Sequence, residues 1–287
     1  MPEFLIDPDT KIGPVHLKVS DLNQSLQFYT SFLGFKIVKK ESKTVFLSPD
    51  GRLPYLVTLS ETNVNYPDQR SVGLYHFAIL LPRRKDLANF ASYLLKHEKD
   101  VKIDGFSDHL VSEAIYIRDP DHIGIEIYCD REKSEWTWKD NKVRMTLDPL
   151  DMEGLIKAST RSWDGFPLNT TIGHVHLHVS SLEKAKKFYS EIMGFKNTAS
   201  MQGALFFAAG NYHHHIATNV WLGENISKAP EGAPGLDYFT IEFSSKVKLD
   251  KVVKHLGSHG IDVKKLDNSF NVYDCDNISI CLHNSSP

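Results

Sequence analysis

Gly173-His174-Val175-His176-Leu177-His178-Val179-Ser180-Ser181-Leu182 repeats Gly13-Pro14-Val15-His16-Leu17-Lys18-Val19-Ser20-Asp21-Leu22. The same offset carries Phe28-Tyr29 onto Phe188-Tyr189, and Gly34-Phe35 onto Gly194-Phe195. Several landmarks at one spacing mark an internal repeat. The alternation of Val15, Leu17 and Val19, and of Val175, Leu177 and Val179, predicts a half-buried strand opening each copy. A short helix follows. Ser20 or Asp21 can cap it, and Leu22, Leu26, Tyr29 and Leu33 fall on one face. Leu182, Ala185, Tyr189 and Met193 repeat that spacing, and Gly34 and Gly194 suit the helix exits.

A second pair of segments is related more weakly. Gly73-Leu74-Tyr75-His76-Phe77 matches Gly235-Leu236-Asp237-Tyr238-Phe239, and Asp121 to Ile127 matches Asp276 to Leu282 in pattern. The chain therefore divides into four strand-helix-strand-strand-strand modules. Residues 1–130 hold two (12–62 and 72–129) and residues 172–287 hold two (172–222 and 235–283). Between them, 131–171 is a linker. Its polar, Trp-rich start predicts irregular structure, and Asp151 to Ala158 predicts a short helix.

Composition narrows the functional classes. Over 287 residues, 41% are hydrophobic and 24% charged, which is ordinary for a globular protein of about two domains. A net charge of −3 without a basic stripe argues against nucleic acid as a partner. No apolar run approaches the ~18 residues that span a bilayer, and Met1 to Ile6 lacks the pattern of a signal peptide. Cys129, Cys275 and Cys281, without metal spacing, read as free thiols in a reducing compartment, so the expected location is cytoplasmic.

The H-x-x-L-x-V openings and the closing Asp119-Pro120-Asp121-His122-Ile123-Gly124-Ile125-Glu126-Ile127-Tyr128 resemble the vicinal oxygen chelate superfamily of glyoxalases, bleomycin resistance proteins and extradiol dioxygenases. Gly73 to Leu81, Gly173 to Val179 and Tyr212 to Ile216 are most similar to catechol 2,3-dioxygenases of Gram-positive bacteria. The resemblance implies an α+β fold in which four tandem βαβββ modules form two cupped, incomplete β-barrels. It maps the metal-ligand positions of the opening strands to Pro14, His76, His174 and Tyr238. The closing-strand carboxylate maps to Glu126 and Cys281. Extradiol enzymes usually draw all three ligands from modules 3 and 4, yet here that pair offers His174 alone. Pairing module 2 with module 3 unites His76, Glu126 and His174, and leaves modules 1 and 4 to each other. The same pairing across a dimer, as in glyoxalase I, would serve equally, so a homo-oligomer stays open.

Two imidazoles and one carboxylate, with coordination positions left open, form the ligand set of non-haem Fe(II) oxygenases, and Mn(II) satisfies the same donors. Strand parity agrees, since His174, His176 and His178 share the face opposite the apolar residues. Taken singly, each histidine reads as structural. The resemblance further implies that His214, in the run His213-His214-His215-Ile216-Ala217 on a late strand of module 3, is the acid/base. It assigns Tyr116 as a hydrogen-bonding group upstream of the carboxylate ligand, and His109 as the family's second active-site histidine. The implied reaction opens a catechol-type aromatic diol with O2 beside its two hydroxyls. A glyoxalase-type isomerase or lyase, and a metal-free small-molecule binding protein, are the alternatives.

Overall fold

The computed structural model describes residues 4–64 and 70–284. Module 1 contributes β1 (Lys11–Val19), β2 (Lys36–Glu41), β3 (Thr44–Ser48) and β4 (Val57–Glu61). Module 2 contributes β5 (Gly73–Leu80), β6 (Lys102–Asp108), β7 (Ser112–Arg118) and β8 (Gly124–Asp130). After a small hairpin of β9 (Trp138–Lys139) and β10 (Lys142–Val143), module 3 supplies β11 (Thr171–His178), β12 (Lys196–Met201), β13 (Ala204–Ala208) and β14 (Ile216–Asn219). Module 4 closes the chain with β15 (Gly235–Phe243), β16 (Lys264–Lys265), β17 (Ser269–Tyr273) and β18 (Ser279–Asn284).

These strands form two curled eight-stranded sheets with few helices, a mixed α+β arrangement. One sheet runs β12-β13-β14-β11-β5-β8-β7-β6, and the other β16-β17-β18-β15-β1-β4-β3-β2. Each sheet is thus joined at its centre by two opening strands, β11 against β5 and β1 against β15, both antiparallel. Module 2 pairs with module 3 within the chain, and module 1 with module 4.

Side-chain alternation decides which way each sheet cups. Val15, Leu17, Val19, Val175, Leu177 and Val179 are all fully buried in one apolar cluster that spans both halves. The opposite, concave face is left to polar and aromatic residues. Asp21 accepts from the backbone N–H groups of Asn23 and Gln24 at 2.9 and 3.0 Å and starts α1 (Leu22–Leu26). Ser181 caps α4 (Leu182–Lys186) in the same way. Both helices are shorter than the apolar spacing predicts, because each widens into a π-turn, Gln27–Phe32 and Lys187–Ile192. The wider turn keeps adjacent aromatics, Phe28-Tyr29 and Phe188-Tyr189, buried together. Tyr29 then donates to Asp119 at 3.0 Å and Tyr189 to Asp274 at 2.8 Å, tying each helix to the loop of the next module. Gly34 exits the first helix at φ +91, with its Cα facing Gly165 so closely that a side chain would sit 2.3 Å from the Gly165 Cα.

The remaining helices are α2 (Arg84–Leu94), α3 (Met152–Lys157) and α5 (Lys246–Ser258). Asp151 caps α3 by accepting from Gly154 N–H at 2.9 Å. The start of the linker is more ordered than its composition predicts. It forms a 3-10 turn and the β9–β10 hairpin, and its Trp136 is buried, donating its indole N–H to the Arg131 carbonyl at 3.1 Å.

Candidate metal centre

The concave face of the module 2–module 3 sheet gathers its donors by register. His76 on β5 lies opposite His176 on β11, and Ala78 lies opposite both His174 and Glu126 on the flanking strands. The three side chains named from the sequence therefore converge across the two central strands and β8. His76 Nε2 is 2.9 Å, and His174 Nε2 3.0 Å, from the same Glu126 oxygen, Oε2. All donor atoms of this trio lie within 4.8 Å of one another, and all three residues are buried.

The donor chemistry fits a divalent cation. Buried polar groups normally find partners, yet Nδ1 of both histidines makes no hydrogen bond among the described residues. Burial, the largest influence, would push the Glu126 carboxyl up. The two histidines outweigh it and hold Glu126 well below the usual carboxylate range, as a ligand must be. Burial lowers His76, which favours the neutral imidazole that binds metal.

Around this trio is a cavity of about 220 Å³ that also takes in Tyr75, His109, Tyr116, His176, Phe206 and His214. Tyr116 on β7 faces Glu126 in register and bonds His109 Nε2 at 2.7 Å. His109 is held from behind by the Thr146 carbonyl, 2.7 Å from its Nδ1. Burial first, then the Glu126 charge, push the Tyr116 phenol well above its ordinary range, so it remains a proton donor. His214 lies against His174, with ring centroids 4.1 Å apart, and burial drives it strongly toward the neutral form.

The histidine run is placed one step away from its sequence expectation. His213 to His215 precede β14 in the loop entering it. They are buried, not a surface cluster. His215 points away from the cavity, its Nδ1 accepting from Ala209 N–H at 3.2 Å. All six residues named from the sequence line one cavity.

Other lining residues were not anticipated. His176 packs edge-on to His76 at 4.9 Å and accepts from Asn219 Nδ2 at 3.0 Å. Its place on the His174 face of β11 was the available signal. Met145 and Leu147 reach in from the linker, and Trp221 and Arg118 from strand ends. Nothing in the local sequence marks these, because only the folded sheet brings them to the rim.

Comparison with known proteins identifies the family and the fold. The profile described as the Glyoxalase/Bleomycin resistance protein/Dioxygenase superfamily matches residues 11–127 and 171–267. A protein named catechol-2,3-dioxygenase from Bacillus subtilis (strain 168) is 41% identical over 274 residues, covering 94% of this chain and 95% of that one. Among solved structures, a putative dioxygenase from Bacillus subtilis superposes with a TM-score of 0.66 at 14% identity, over 99% of this chain and 87% of the other. Glyoxalase I from Zea mays gives 0.54 at 16% identity, over 96% and 92%. Such low identities speak to the fold alone, while the profile and the Bacillus relative speak to descent. The chain belongs to the glyoxalase/bleomycin resistance protein/dioxygenase superfamily.

Proposed function

We propose that this protein is an extradiol dioxygenase that opens a catechol-type ring with O2, using Fe(II) held by His76, Glu126 and His174. The convergence of these three buried donors, all within 4.8 Å of one another, carries the reading. The name of the Bacillus subtilis relative supports the reaction class. When bound, such an ion lowers the pKa of the diol it coordinates and brings both reactants into contact. Mn(II) suits the same donors.

The chain's own residues supply the rest. The cavity of about 220 Å³ favours a single-ring substrate, since ~150 Å³ of apolar space already accommodates benzene. Phe206, Met201 and Leu147 offer apolar wall to the ring. His214, neutral because it is buried, accepts a hydroxyl proton as general base. Tyr116 stands on the other side, its hydroxyl donating to His109 Nε2 because His109 Nδ1 donates to the Thr146 carbonyl, which leaves the phenol oxygen to accept a hydrogen bond.

A three-donor site with open positions favours this chemistry over glyoxalase-type isomerisation. A metal-free binding role is opposed by a carboxylate buried between two imidazoles. The test is anaerobic loading with Fe(II), followed by catechol and air. Absorbance of a ring-opened semialdehyde, with O2 consumed in equal amount, is the expected result. Aromatic binding without O2 uptake, across several substituted catechols, would refute the reading.

A further inference from the structure

His214 is the last link in a chain of three side chains. Asp130, ending β8, sets Oδ1 2.9 Å from Nε2 of His213. Nδ1 of His213 lies 2.7 Å from Nδ1 of His214. His213 is fully buried, with Tyr212 at 4.1 Å and Trp136 at 5.2 Å between ring centroids. These bonds have only one consistent proton pattern for neutral rings. A carboxylate can only accept, so the His213 proton sits on Nε2. Nδ1 of His213 is then bare and accepts, which requires His214 to donate from its own Nδ1. The nitrogen left for the cavity, Nε2 of His214, carries a lone pair and no proton.

We propose that Asp130 and His213 are positioning residues that fix the tautomer of His214, so that a bare Nε2 faces the substrate. A ring hydroxyl approaching it loses its proton there. The O–H bond breaks with its electrons staying on oxygen, and an Nε2–H bond forms. The opposite tautomer would present an N–H and could not serve as base. Asp130 and His214 come from different modules, so the chain closes only when module 2 pairs with module 3. This inference rests on the dioxygenase reading for its turnover measurement alone.

The experiment uses the full chain loaded with diamagnetic Zn(II) and labelled with 15N at histidine. Long-range 1H–15N correlation distinguishes protonated from bare ring nitrogens, with His214 assigned by loss of its signals in His214→Gln. The expected wild-type pattern is protonated Nδ1 and bare Nε2. In Asp130→Asn the amide can offer a donor to His213, and the pattern shifts toward Nε2–H. In the Fe(II) enzyme that variant lowers kcat by ~10–10⁴-fold, the span of outer-shell and wrong-tautomer changes, with KM and metal content little altered. Asp130→Glu restores the wild-type pattern and most of kcat. A wild-type His214 protonated on Nε2, including through a doubly protonated His213, overturns the proposal whatever the substrate. So does an Asp130→Asn protein with the wild-type tautomer, or an Asp130→Glu protein no better than it. Absence of ring cleavage by every variant, with the tautomer as stated, would instead sink the dioxygenase reading.

Discussion

In the module 2–module 3 sheet, the paired central strands bring together His76, His174 and His176, with Glu126 on the neighbouring strand. In the other sheet the same register positions hold different chemistry. Tyr238 faces His16 across the centre as His76 faces His176, and Cys281 stands beside Thr240 as Glu126 stands beside Ala78. Pro14 occupies the place of His174 in the repeat. Proline has no side-chain donor, and burial pushes the Cys281 thiol above its ordinary range, away from the thiolate that binds metal. His16 stacks flat on Tyr238 at 3.9 Å, whereas His76 and His176 meet edge-on at 4.9 Å. One backbone plan thus carries two sets of inward side chains, and the difference lies in a few positions. A backbone plan tolerates any side chain of fitting size at a concave position, while a ligand set tolerates very few.

The sharpest way to break the comparison is to remove a ligand. Glu126→Gln should bring metal content, measured by elemental analysis, from one equivalent per chain to near zero. Turnover should fall by more than the ~10–100-fold that outer-shell changes cost. A protein that kept its metal would show that the trio is not the ligand set, or that the second sheet binds after all. Replacing Cys281 with Ser, its counterpart, should change neither quantity.

His214→Ala separates acid/base work from metal holding. Turnover should drop by ~10²–10⁴-fold while metal content stays at the wild-type level. Loss of metal would make His214 a ligand. Unchanged turnover would remove its role.

The amount legible in the sequence follows from how each feature is encoded. Val15, Leu17, Val19 and their repeats encode strands locally, so the duplicated fold and its two cupped sheets could be expected. The inward donors follow from strand parity together with the resemblance, because a ligand set must occupy fixed points of the pattern. The Asp130–His213–His214 chain is different. Asp130 sits on the Glu126 and Tyr128 face of β8, but its partner is distant in sequence and only sheet pairing joins them. The linker's share, through Thr146, Met145 and Leu147, was illegible for the same reason. The π-turns were hidden because an apolar helix pattern does not record one inserted residue.

Two equivalent glycines sharpen the contrast in packing. A Cβ on Gly173 would lie 1.7 Å from the Tyr128 hydroxyl, which is fully buried and bonded to Tyr212 at 2.8 Å. A Cβ on Gly13 would meet the Glu242 side chain at 2.7 Å, a group that can swing aside. Gly173→Ala should therefore cost about 3 kcal/mol, at the upper end of overpacking penalties, and Gly13→Ala clearly less. Urea unfolding of both variants measures this. Equal losses would mean that the two concave faces are packed alike.

His16 offers the last test, in the sheet that pairs module 1 with module 4. Burial, opposed by the Asp237 charge, lowers its pKa from 6.5 to about 4. The folded state therefore favours neutral His16, while the unfolded chain begins to protonate below pH 6.5. The contribution is present above that value and is lost as pH falls toward 4. One pKa unit corresponds to ~1.4 kcal/mol, so His16 alone should remove ~2 kcal/mol of stability by pH 5. His16→Phe keeps a ring against Tyr238 and cannot titrate. The loss in urea midpoint between pH 7 and pH 5 should accordingly be smaller in the variant than in the wild type. Identical losses would show that His16 is solvated in solution, and that its stacking on Tyr238 does not seal the second cup.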